Sequence, residues 1–369
     1  MNFEYSEDQL AFRESVIKFL QREYSFEARQ KILKSDAAYS ERIWESCAEL
    51  GWLSLPFDEE LGGFGGTAVD SILLFEELGK HLVTEPFMET MLQAGGILQA
   101  CRHPQRLTYI EKLMAGELQG AFAHSEPYQA HFEHDLTTRA LALDDGYQIQ
   151  GTKSVVYNAA RADIFIISAE LDGEKALFLL PANHEGLSLK RYTTVNGRQA
   201  AELELDAVRV AREDLLATGS EAESILNSTL DDTLLAQVAE MVGAMQILLD
   251  TTVDYTKERK QFGMPLSFFQ VLQHKMVEMF MATELVRSLM YAAAIKLRDG
   301  ADDARAYVAA AKVKSDKGAR LAAQFAVQLH GGIGTTDELK VGHYLKHIEV
   351  LSQQFGSTQS HISRYQALR

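Results

Sequence analysis

The first part of the chain carries apolar side chains at intervals of three and four positions, the period of an amphipathic α-helix. One such face comprises Leu10, Phe12, Val16, Ile17, Phe19 and Leu20. A second comprises Trp44, Cys47, Ala48, Leu50 and Leu53, and a third comprises Ile72, Leu73, Leu74 and Leu78. The pattern predicts an all-helical N-terminal domain over residues 1–116.

The pattern changes near Gly116 to short runs with the length and β-rich composition of strands. These runs are 141–143, 147–150, 164–167, 176–180 and 201–206, separated by turn residues at 144–146, 171–173 and 183–186. About seven short strands without intervening helices predict a middle β-barrel or β-sandwich domain over residues 117–218.

The helical period returns at residue 219 and continues to the end of the chain. Helices are predicted over 224–257, 267–299, 302–329 and 336–352, with a last one from 358. Pro265, Asp299-Gly300 and the glycines of 331–334 separate them. Long helices with short connections predict a C-terminal four-helix-bundle domain over residues 219–369, and the order α, β, α defines an α+β fold class.

Composition narrows the possible functions. The chain has 369 residues, 46% of them hydrophobic, which is enough for two or three folding units. The formal charge of −16 disfavours nucleic acid as a partner, so an anionic ligand must be met by local cations.

The two cysteines, Cys47 and Cys101, form no metal-like or redox-like pattern, so no metal site is expected. Free thiols suit a reducing compartment, and the acidic start is neither a secretory signal nor an Arg-rich transit peptide. The apolar runs are short and broken by charge. The sequence therefore predicts a cytoplasmic protein without membrane insertion.

The run Tyr255-Thr-Lys-Glu-Arg-Lys-Gln-Phe-Gly263 combines groups that suit a dinucleotide. Arg259 lies near a helix end, and a guanidinium can bind pyrophosphate through two parallel hydrogen bonds. Phe262 offers an aromatic face, and Gln270 offers an amide to an adenine edge. Taken singly, Arg259 would be a solvated charge and Phe262 a core side chain.

The run Gln328-Leu-His-Gly-Gly-Ile-Gly334 is an apolar helical stretch that stops at glycines. By itself it is a helix stop and a turn, and it follows no strand, so it is not a Rossmann fingerprint. About 22 residues further on comes a second turn, Phe355-Gly-Ser-Thr-Gln359.

Together these motifs resemble the FAD-dependent acyl-CoA dehydrogenases, and the resemblance covers essentially the whole chain. It implies the acyl-CoA dehydrogenase fold and the dehydrogenation of an acyl-CoA to a 2-enoyl-CoA. It also implies that this chain holds the ADP half of an FAD that is lodged mainly in the neighbouring subunit. The residues expected to bind this cofactor are Arg259, Gln261, Phe262, Gln270, Gln328, Gly331, Gly332, Ser357 and Gln359.

The flavin half departs from the family pattern. Ser125-Glu-Pro127 keeps a hydroxyl for the flavin pyrimidine where the family has Thr-Glu-Pro, whereas Ala130-His131-Phe132 replaces Gly-Ser-Asp. Gly151-Thr-Lys153 is followed by Val155 where the family usually has Trp, and by Tyr157 where it has the Thr that contacts N5. Without the resemblance, Val155 and Tyr157 would belong to a plain strand.

The catalytic base also departs from the pattern. The family's usual glutamate position is occupied by Phe355, which cannot titrate, and the position used by some other members is occupied by Thr233. Glu240 lies two turns after Thr233 on the same face and is the first candidate, with Asp232 second. The alternatives are an interhelical ion pair or a surface position for Glu240, and a helix N-cap or first-turn acid for Asp231 and Asp232.

Within the family the chain most resembles the small subunits of bacterial two-subunit enzymes, such as the pimeloyl-CoA dehydrogenases, which share its Lys340-Val-Gly-His-Tyr344 run. The expected partners are an acyl-CoA, a homologous subunit or a second copy in a dimer or tetramer, and electron-transfer flavoprotein as acceptor. A non-catalytic subunit that completes a partner's FAD site, and a flavin oxidase or monooxygenase, are the alternative functions.

Overall fold

The protein is described by a computed structural model that covers residues 5–35, 38–129, 132 and 135–369. Its N-terminal part is helical, as predicted. The helices are α1 (Glu7–Glu23), α2 (Phe26–Lys34), α3 (Glu41–Glu49), α4 (Ala68–His81), α5 (Gly96–Ala100) and α6 (Arg106–Met114). Ser6 begins α1 with a capping box, since its hydroxyl accepts from the Gln9 N–H while the Gln9 side chain accepts from the Ser6 N–H.

A π-helical segment, Met88–Gly95, precedes α5, and all eight of its residues are buried. The helical periodicity of this region was evident from the sequence. The wider π turn was not, because one extra residue per turn is invisible in a short apolar run.

The middle of the chain forms an eight-stranded mixed sheet. Its strands are β1 (Gly120–Ala123), β2 (Arg139–Leu143), β3 (Gly146–Tyr157), β4 (Ile164–Leu171), β5 (Glu174–Pro181), β6 (Leu187–Thr193), β7 (Gln199–Ala211) and β8 (Leu215–Thr218). The strand order is β6-β7-β3-β2-β4-β5-β8, and β1 pairs in parallel with β4.

Alternating residues of these strands share one apolar core. Phe165 and Ile167 of β4, Phe178 and Leu180 of β5, and Leu203 of β7 belong to a single buried cluster. Strands that contribute every second side chain to one cluster must enclose it with one face of their sheet.

The C-terminal part is helical again. Its elements are α7 (Gly219–Glu258), the short strands β9 (Lys260–Gln261) and β10 (Met264–Pro265), α8 (Gln270–Arg298), α9 (Ala304–His330), α10 (Lys340–Leu351) and α11 (Thr358–Ala367). The predicted helices agree with these bounds to within a few residues. Helix α7 starts earlier than predicted, because Gly219, with φ 58°, ends β8 and admits the chain directly into the helix.

Within the described part of the chain, α7 is the helix long and apolar enough to cross a membrane, by length and composition alone. The sequence pattern did not indicate a helix of this apolar length, because isolated acids interrupt its apolar runs. Of its most apolar stretch, 83% is buried inside the protein. Its hydropathy is therefore that of a core helix.

The chain divides into two compact units. One consists of Met1–Lys31, Ala68–Val83 and Leu234–Arg369, and the other of Ile32–Thr67 and Thr84–Thr233. The three-domain boundaries at 116 and 218 stay a prediction.

Inside the first unit, α4 crosses α7 at two glycines. A Cβ on Gly79 would lie 2.2 Å from the carbonyl oxygen of Glu240, and one on Gly243 would lie 2.1 Å from the carbonyl oxygen of Glu76. Because no real Cβ fits at these distances, the two helix backbones pack in direct contact, and Glu240 is held at the crossing.

Candidate functional site

The residues between α7 and α8 form a tight hairpin. Gln261 of β9 pairs with Met264 of β10, and the connecting Phe262 and Gly263 have φ values of 55° and 84°. Two successive positive φ angles are the pattern of a two-residue hairpin turn of type I′. The turn leaves the Phe262 ring 88% exposed, with an edge contact to Phe269.

The predicted cofactor residues of this region are all presented to solvent. Arg259 follows the end of α7 and makes no ion pair with any residue that the structure describes, while its carbonyl accepts from the Leu266 N–H at 2.8 Å. Gln261 and Gln270 are exposed on either side of the turn. An unpaired guanidinium beside an exposed ring matches the donor set for a pyrophosphate and an adjacent base.

The glycine run after α9 lies close to this hairpin. The Tyr255 ring of α7 stacks on the His330 ring at the end of α9, with centroids 4.3 Å apart, and its hydroxyl donates to the His330 carbonyl at 3.3 Å. Gly331 and Gly332 follow, both exposed, and a Cβ at either position would meet nothing within 4 Å. The exposed Gln328 belongs to the last turn of α9. The structure thus brings the Arg259 and Gly331 segments together.

Ser125 is fixed by a buried network that the sequence reading did not single out. Its carbonyl accepts from the Ser154 N–H at 2.8 Å. The next residue, Glu126, pairs with Lys153 at 2.7 Å, and both side chains are fully buried. Lys153 also donates to the His124 carbonyl and to the Ser168 hydroxyl, each at 3.2 Å.

Ionisation of Glu126 is favoured despite its burial. Burial opposes the charge, but the Lys153 ammonium and hydrogen bonds from Thr137 and Thr138 hold the pKa of Glu126 well below its usual range. The sequence offers one signal for this ion pair, which is the lysine within a predicted strand. A lysine whose side chain points into the core of a sheet needs a buried acid as its partner.

Strand β3 bulges where the flavin would be expected to stack. Val155 has φ 52°, which is unusual for a β-branched residue, and its side chain is half-exposed. Tyr157 is buried beside the Arg198 guanidinium, which lies 5.2 Å from its ring, and burial raises the pKa of Tyr157 to about 12. Val155 is therefore not an ordinary strand residue, although it cannot supply the aromatic face of a tryptophan.

Ala130 and His131, at the Gly-Ser-Asp position, lie outside the described residues. Phe132 is described, and its ring stacks on His124 with centroids 4.1 Å apart. The His124 Nε2 also lies 2.6 Å from the Phe132 carbonyl, so Phe132 is held against the strand that leads to Ser125.

The turn at the usual base position joins α10 to α11. Phe355 has φ 61° and is half-buried, and Gly356 has φ 121°. Ser357 is the N-cap of α11, where its hydroxyl accepts from the Ser360 N–H at 3.3 Å. Gln359 is exposed on the first turn of α11. Phe355 places an apolar ring, and no titratable group, at this position.

Asp231 and Asp232 lie in the middle of α7, more than three turns after Gly219, so their interpretation as N-cap or first-turn acids is wrong. The longer helix is the reason. Asp231 is buried and Asp232 is exposed.

Surrounding protein, and then the Asp231 charge, nonetheless raises the pKa of Asp232 to about 7. Protein atoms thus crowd the Asp232 carboxyl enough to oppose its charge, although the residue keeps exposed surface.

Glu240 forms an interhelical pair, which was the alternative to a surface position for this residue. Its Oε2 lies 3.1 Å from Nε2 of His347 on α10, and both side chains are largely buried. Its backbone is pressed against Gly79 of α4. Asp232 and Glu240 are eight residues apart on one helix, about 12 Å along its axis, so the two candidate bases cannot act on the same atom.

The residues present fit the ADP half of FAD better than the flavin half. Arg259 lacks a competing carboxylate among the described residues, and the Gly331 backbone is open to close approach. The Ser125 carbonyl and the Val155 bulge are joined through Ser154, but the bed they form lacks the family's tryptophan.

The N-terminal, middle and C-terminal domain models of acyl-CoA dehydrogenase match residues 6–117, 121–208 and 224–367. A probable acyl-CoA dehydrogenase, YngJ of Bacillus subtilis, is 30% identical over 376 residues, covering 99% of this chain and 98% of the relative.

Solved structures extend the likeness. Butyryl-CoA dehydrogenase from Megasphaera elsdenii superposes with a TM-score of 0.90 at 26% identity, covering 100% of this chain and 99% of that chain. A variant of the steroid ACAD Tcur3481-Tcur3483 gives 0.89 at 26%, covering 98% and 97%.

The chain belongs to the acyl-CoA dehydrogenase family, a family of flavoprotein oxidoreductases. It has the family's fold, in which an N-terminal helical domain, a middle sheet domain and a C-terminal helical domain follow one another.

Proposed function

We propose that this protein dehydrogenates an acyl-CoA to the 2-enoyl-CoA with FAD, as one subunit of a cytoplasmic hetero-oligomer. The small subunits of bacterial two-subunit dehydrogenases, including those for pimeloyl-CoA, are its expected counterparts. The observation that carries the proposal is the grouping of Arg259, Phe262 and Gly331, all exposed and joined through the Tyr255–His330 stack.

The proposed reaction breaks two C–H bonds of the substrate. The α-carbon loses a proton to a carboxylate of the protein, the β-carbon loses a hydride, and the electron pair of the α C–H bond becomes the new double bond. When bound, FAD supplies the acceptor for that hydride. Electron-transfer flavoprotein is the expected acceptor of the electrons from the reduced protein.

Asp232 is the better candidate for the base. A general base works best when its pKa lies near the operating pH, and the pKa of Asp232 is raised to about 7. It is also exposed, so a substrate can reach it. Glu240 is less suited, because His347 occupies its carboxylate and the α4 crossing encloses it.

An oligomer is supported by the apolar surface around the hairpin and α8. Large side chains exposed there include Phe262, Phe268, Val271, Val277, Phe280, Met281 and Leu285. Contiguous exposed apolar side chains of this kind are typical of protein–protein contacts. A subunit covering them would also complete an FAD site that uses Arg259 and Gly331.

A second candidate function is that of a non-catalytic subunit that completes a partner's FAD site. It is favoured by Phe355 at the usual base position and by Val155 in place of a tryptophan. Under this alternative, Arg259 and Gly331 serve the partner's cofactor, while this chain's own flavin bed carries out no oxidation.

Expression alone and together with a homologous subunit separates the two functions. The flavin spectrum is recorded anaerobically with a panel of acyl-CoAs, and light scattering gives the assembly state. Bleaching that depends on Asp232 in the chain's own site supports the dehydrogenase. Bleaching that survives Asp232→Asn but requires the partner's base supports the non-catalytic subunit. A monomer that retains stoichiometric FAD would refute the shared cofactor site.

A further inference from the structure

Two glutamines, one on α7 and one beside Phe355, have buried amide groups without partners among the described residues. Gln237 on α7 has no exposed surface, and neither its Oε1 nor its Nε2 is hydrogen-bonded to any residue that the structure describes. The amide of Gln354, next to Phe355, has both atoms buried and unpartnered in the same way. Within the described residues, these two side chains alone have both polar ends in this state.

The hydroxyl of Thr233, one turn before Gln237 on α7, is also buried without a partner. Other buried hydroxyls of the helices behave differently. Thr252 on α7 donates to the Leu248 carbonyl at 2.6 Å, and Thr283 on α8 donates to the Met279 carbonyl at 2.9 Å. Helical burial therefore does not by itself leave a hydroxyl unsatisfied.

Burying an amide without a partner costs free energy, and an apolar residue of similar size would avoid that cost. The large majority of buried side-chain polar atoms in proteins are hydrogen-bonded, so polar side chains kept at unpaired positions call for a partner from outside the chain. Gln237 and Thr233 lie between Asp232 and Glu240, and Gln354 adjoins the turn of Phe355. Gln237 thus lies between the two candidate bases on α7, and Gln354 lies beside the family's usual base position.

The charge of the same segment selects among possible partners. Asp231, Asp232 and Glu240 place three carboxylates within ten residues of α7, and the helix has no lysine or arginine before Lys257. A fourth carboxylate, brought here by a ligand, would be repelled at close range. A neutral oxygen, from a hydroxyl or a carbonyl, can both accept from an amide N–H and avoid that repulsion.

We propose that Gln237 and Gln354 determine substrate specificity by hydrogen-bonding a neutral hydroxyl or carbonyl group on the acyl chain of the CoA thioester. The substrate is thus an oxygenated acyl-CoA and neither a plain alkyl-CoA nor a dicarboxylate. This inference rests on the proposed dehydrogenase function and specifies its substrate class.

The test uses the flavin-loaded oligomer and six-carbon thioesters of equal length. The probes are hexanoyl-CoA, its derivatives hydroxylated at carbon 4, 5 or 6, 5-oxohexanoyl-CoA and adipoyl-CoA. Anaerobic bleaching gives kcat/KM, and the rise in melting temperature with each thioester gives binding independently of turnover. The variants are Gln237→Leu and Gln354→Leu, with the exposed Gln353→Leu as the matched control.

At least one hydroxy or oxo substrate should exceed hexanoyl-CoA by about tenfold or more in kcat/KM, since an unpaired buried amide rejects a substrate lacking the group. Gln237→Leu should remove most of that preference, as should Gln354→Leu, whereas Gln353→Leu should keep it. Without ligand, Gln237→Leu should melt at the same temperature or higher, because it removes an unsatisfied amide. A merely structural glutamine would instead lower the melting temperature.

Three results would overturn the inference while leaving the dehydrogenase function intact. The first is that hexanoyl-CoA bleaches the flavin as efficiently as its hydroxy and oxo derivatives, and the second is a preference for adipoyl-CoA. The third is an unchanged substrate preference in both glutamine variants, which is expected if a bound water satisfies the amides. Absence of bleaching and of any melting shift with every thioester would refute the proposed function itself, and this inference with it.

Discussion

The protonation of Asp232 gives the sharpest test of the proposed mechanism. Surrounding protein and the neighbouring Asp231 charge raise its pKa to about 7, from the usual aspartate value near 4. A base must be ionised to accept the α-proton, so the rate of flavin reduction should rise with pH. The rise should be centred near pH 7, where an ordinary aspartate would give no change.

The size of the effect follows from the titration curve of one group. With a pKa of about 7, roughly one-tenth of the Asp232 carboxyl is ionised at pH 6 and roughly nine-tenths at pH 8. The rate should therefore increase about tenfold across this interval. Asp231→Asn removes one cause of the raised pKa and should move the midpoint to lower pH.

Folding stability should respond with the opposite sign. A carboxyl whose folded pKa is raised above its unfolded value resists ionisation in the folded state. Its penalty is absent below about pH 4 and grows as the pH rises towards 7. Asp232→Asn should remove this part of the pH dependence, measured by urea unfolding at pH 4 and pH 8.

The rate assay is anaerobic stopped-flow bleaching with a saturating acyl-CoA between pH 5.5 and 8.5. Asp232→Asn should slow bleaching by about 10²–10⁴-fold without loss of bound flavin. Glu240→Gln is the comparison, since it removes the rival candidate. A flat pH profile in the unmodified protein, or full activity in Asp232→Asn, would show that another group is the base.

Three further predictions concern the cofactor and the core. Arg259→Ala should weaken FAD retention about tenfold or more at unchanged melting temperature, measured by flavin release on dilution, whereas the exposed Arg209→Ala should change neither. Lys153→Met should lower the free energy of unfolding by about 3–5 kcal/mol in urea titrations, since it leaves the buried Glu126 carboxylate without its ion pair. A loss below about 1 kcal/mol would show that this ion pair does not stabilise the fold. Gly79→Ala should lower the free energy of unfolding by about 1–3 kcal/mol, because its Cβ would lie 2.2 Å from the Glu240 carbonyl oxygen on α7. In thermal melting, the control Gly96→Ala should be neutral or stabilising, because its Cβ would meet nothing within 4 Å.

Much of the cofactor site could be predicted from local sequence. Gly263 predicts a turn after Phe262, because glycine supplies one of the two positive φ angles of this hairpin at no steric cost. Arg259 at the end of an apolar helix and Gly331 after another are likewise readable from periodicity and helix stops. Their functional meaning came from the joint motif and not from any one residue.

The candidate base could not be chosen in the same way. Sequence ranked Glu240 above Asp232 because a glutamate in an apolar helix is unusual. The structure places His347, more than a hundred residues away, against Glu240, and leaves Asp232 exposed. Hydrophobic periodicity reports which face of a helix is buried, but it holds no information on which distant side chain shares that face.

The amino-acid sequence by itself determined the helices and strands and the motif that identifies the family, since these depend on local propensity and spacing. Only the tertiary structure decided that Lys153 forms an ion pair with Glu126 and that His347 contacts the carboxylate of Glu240. It alone decided that the Gln237 amide has no hydrogen-bond partner among the described residues. The physical reason is that pairing and desolvation are properties of three-dimensional neighbours, which chain order does not specify.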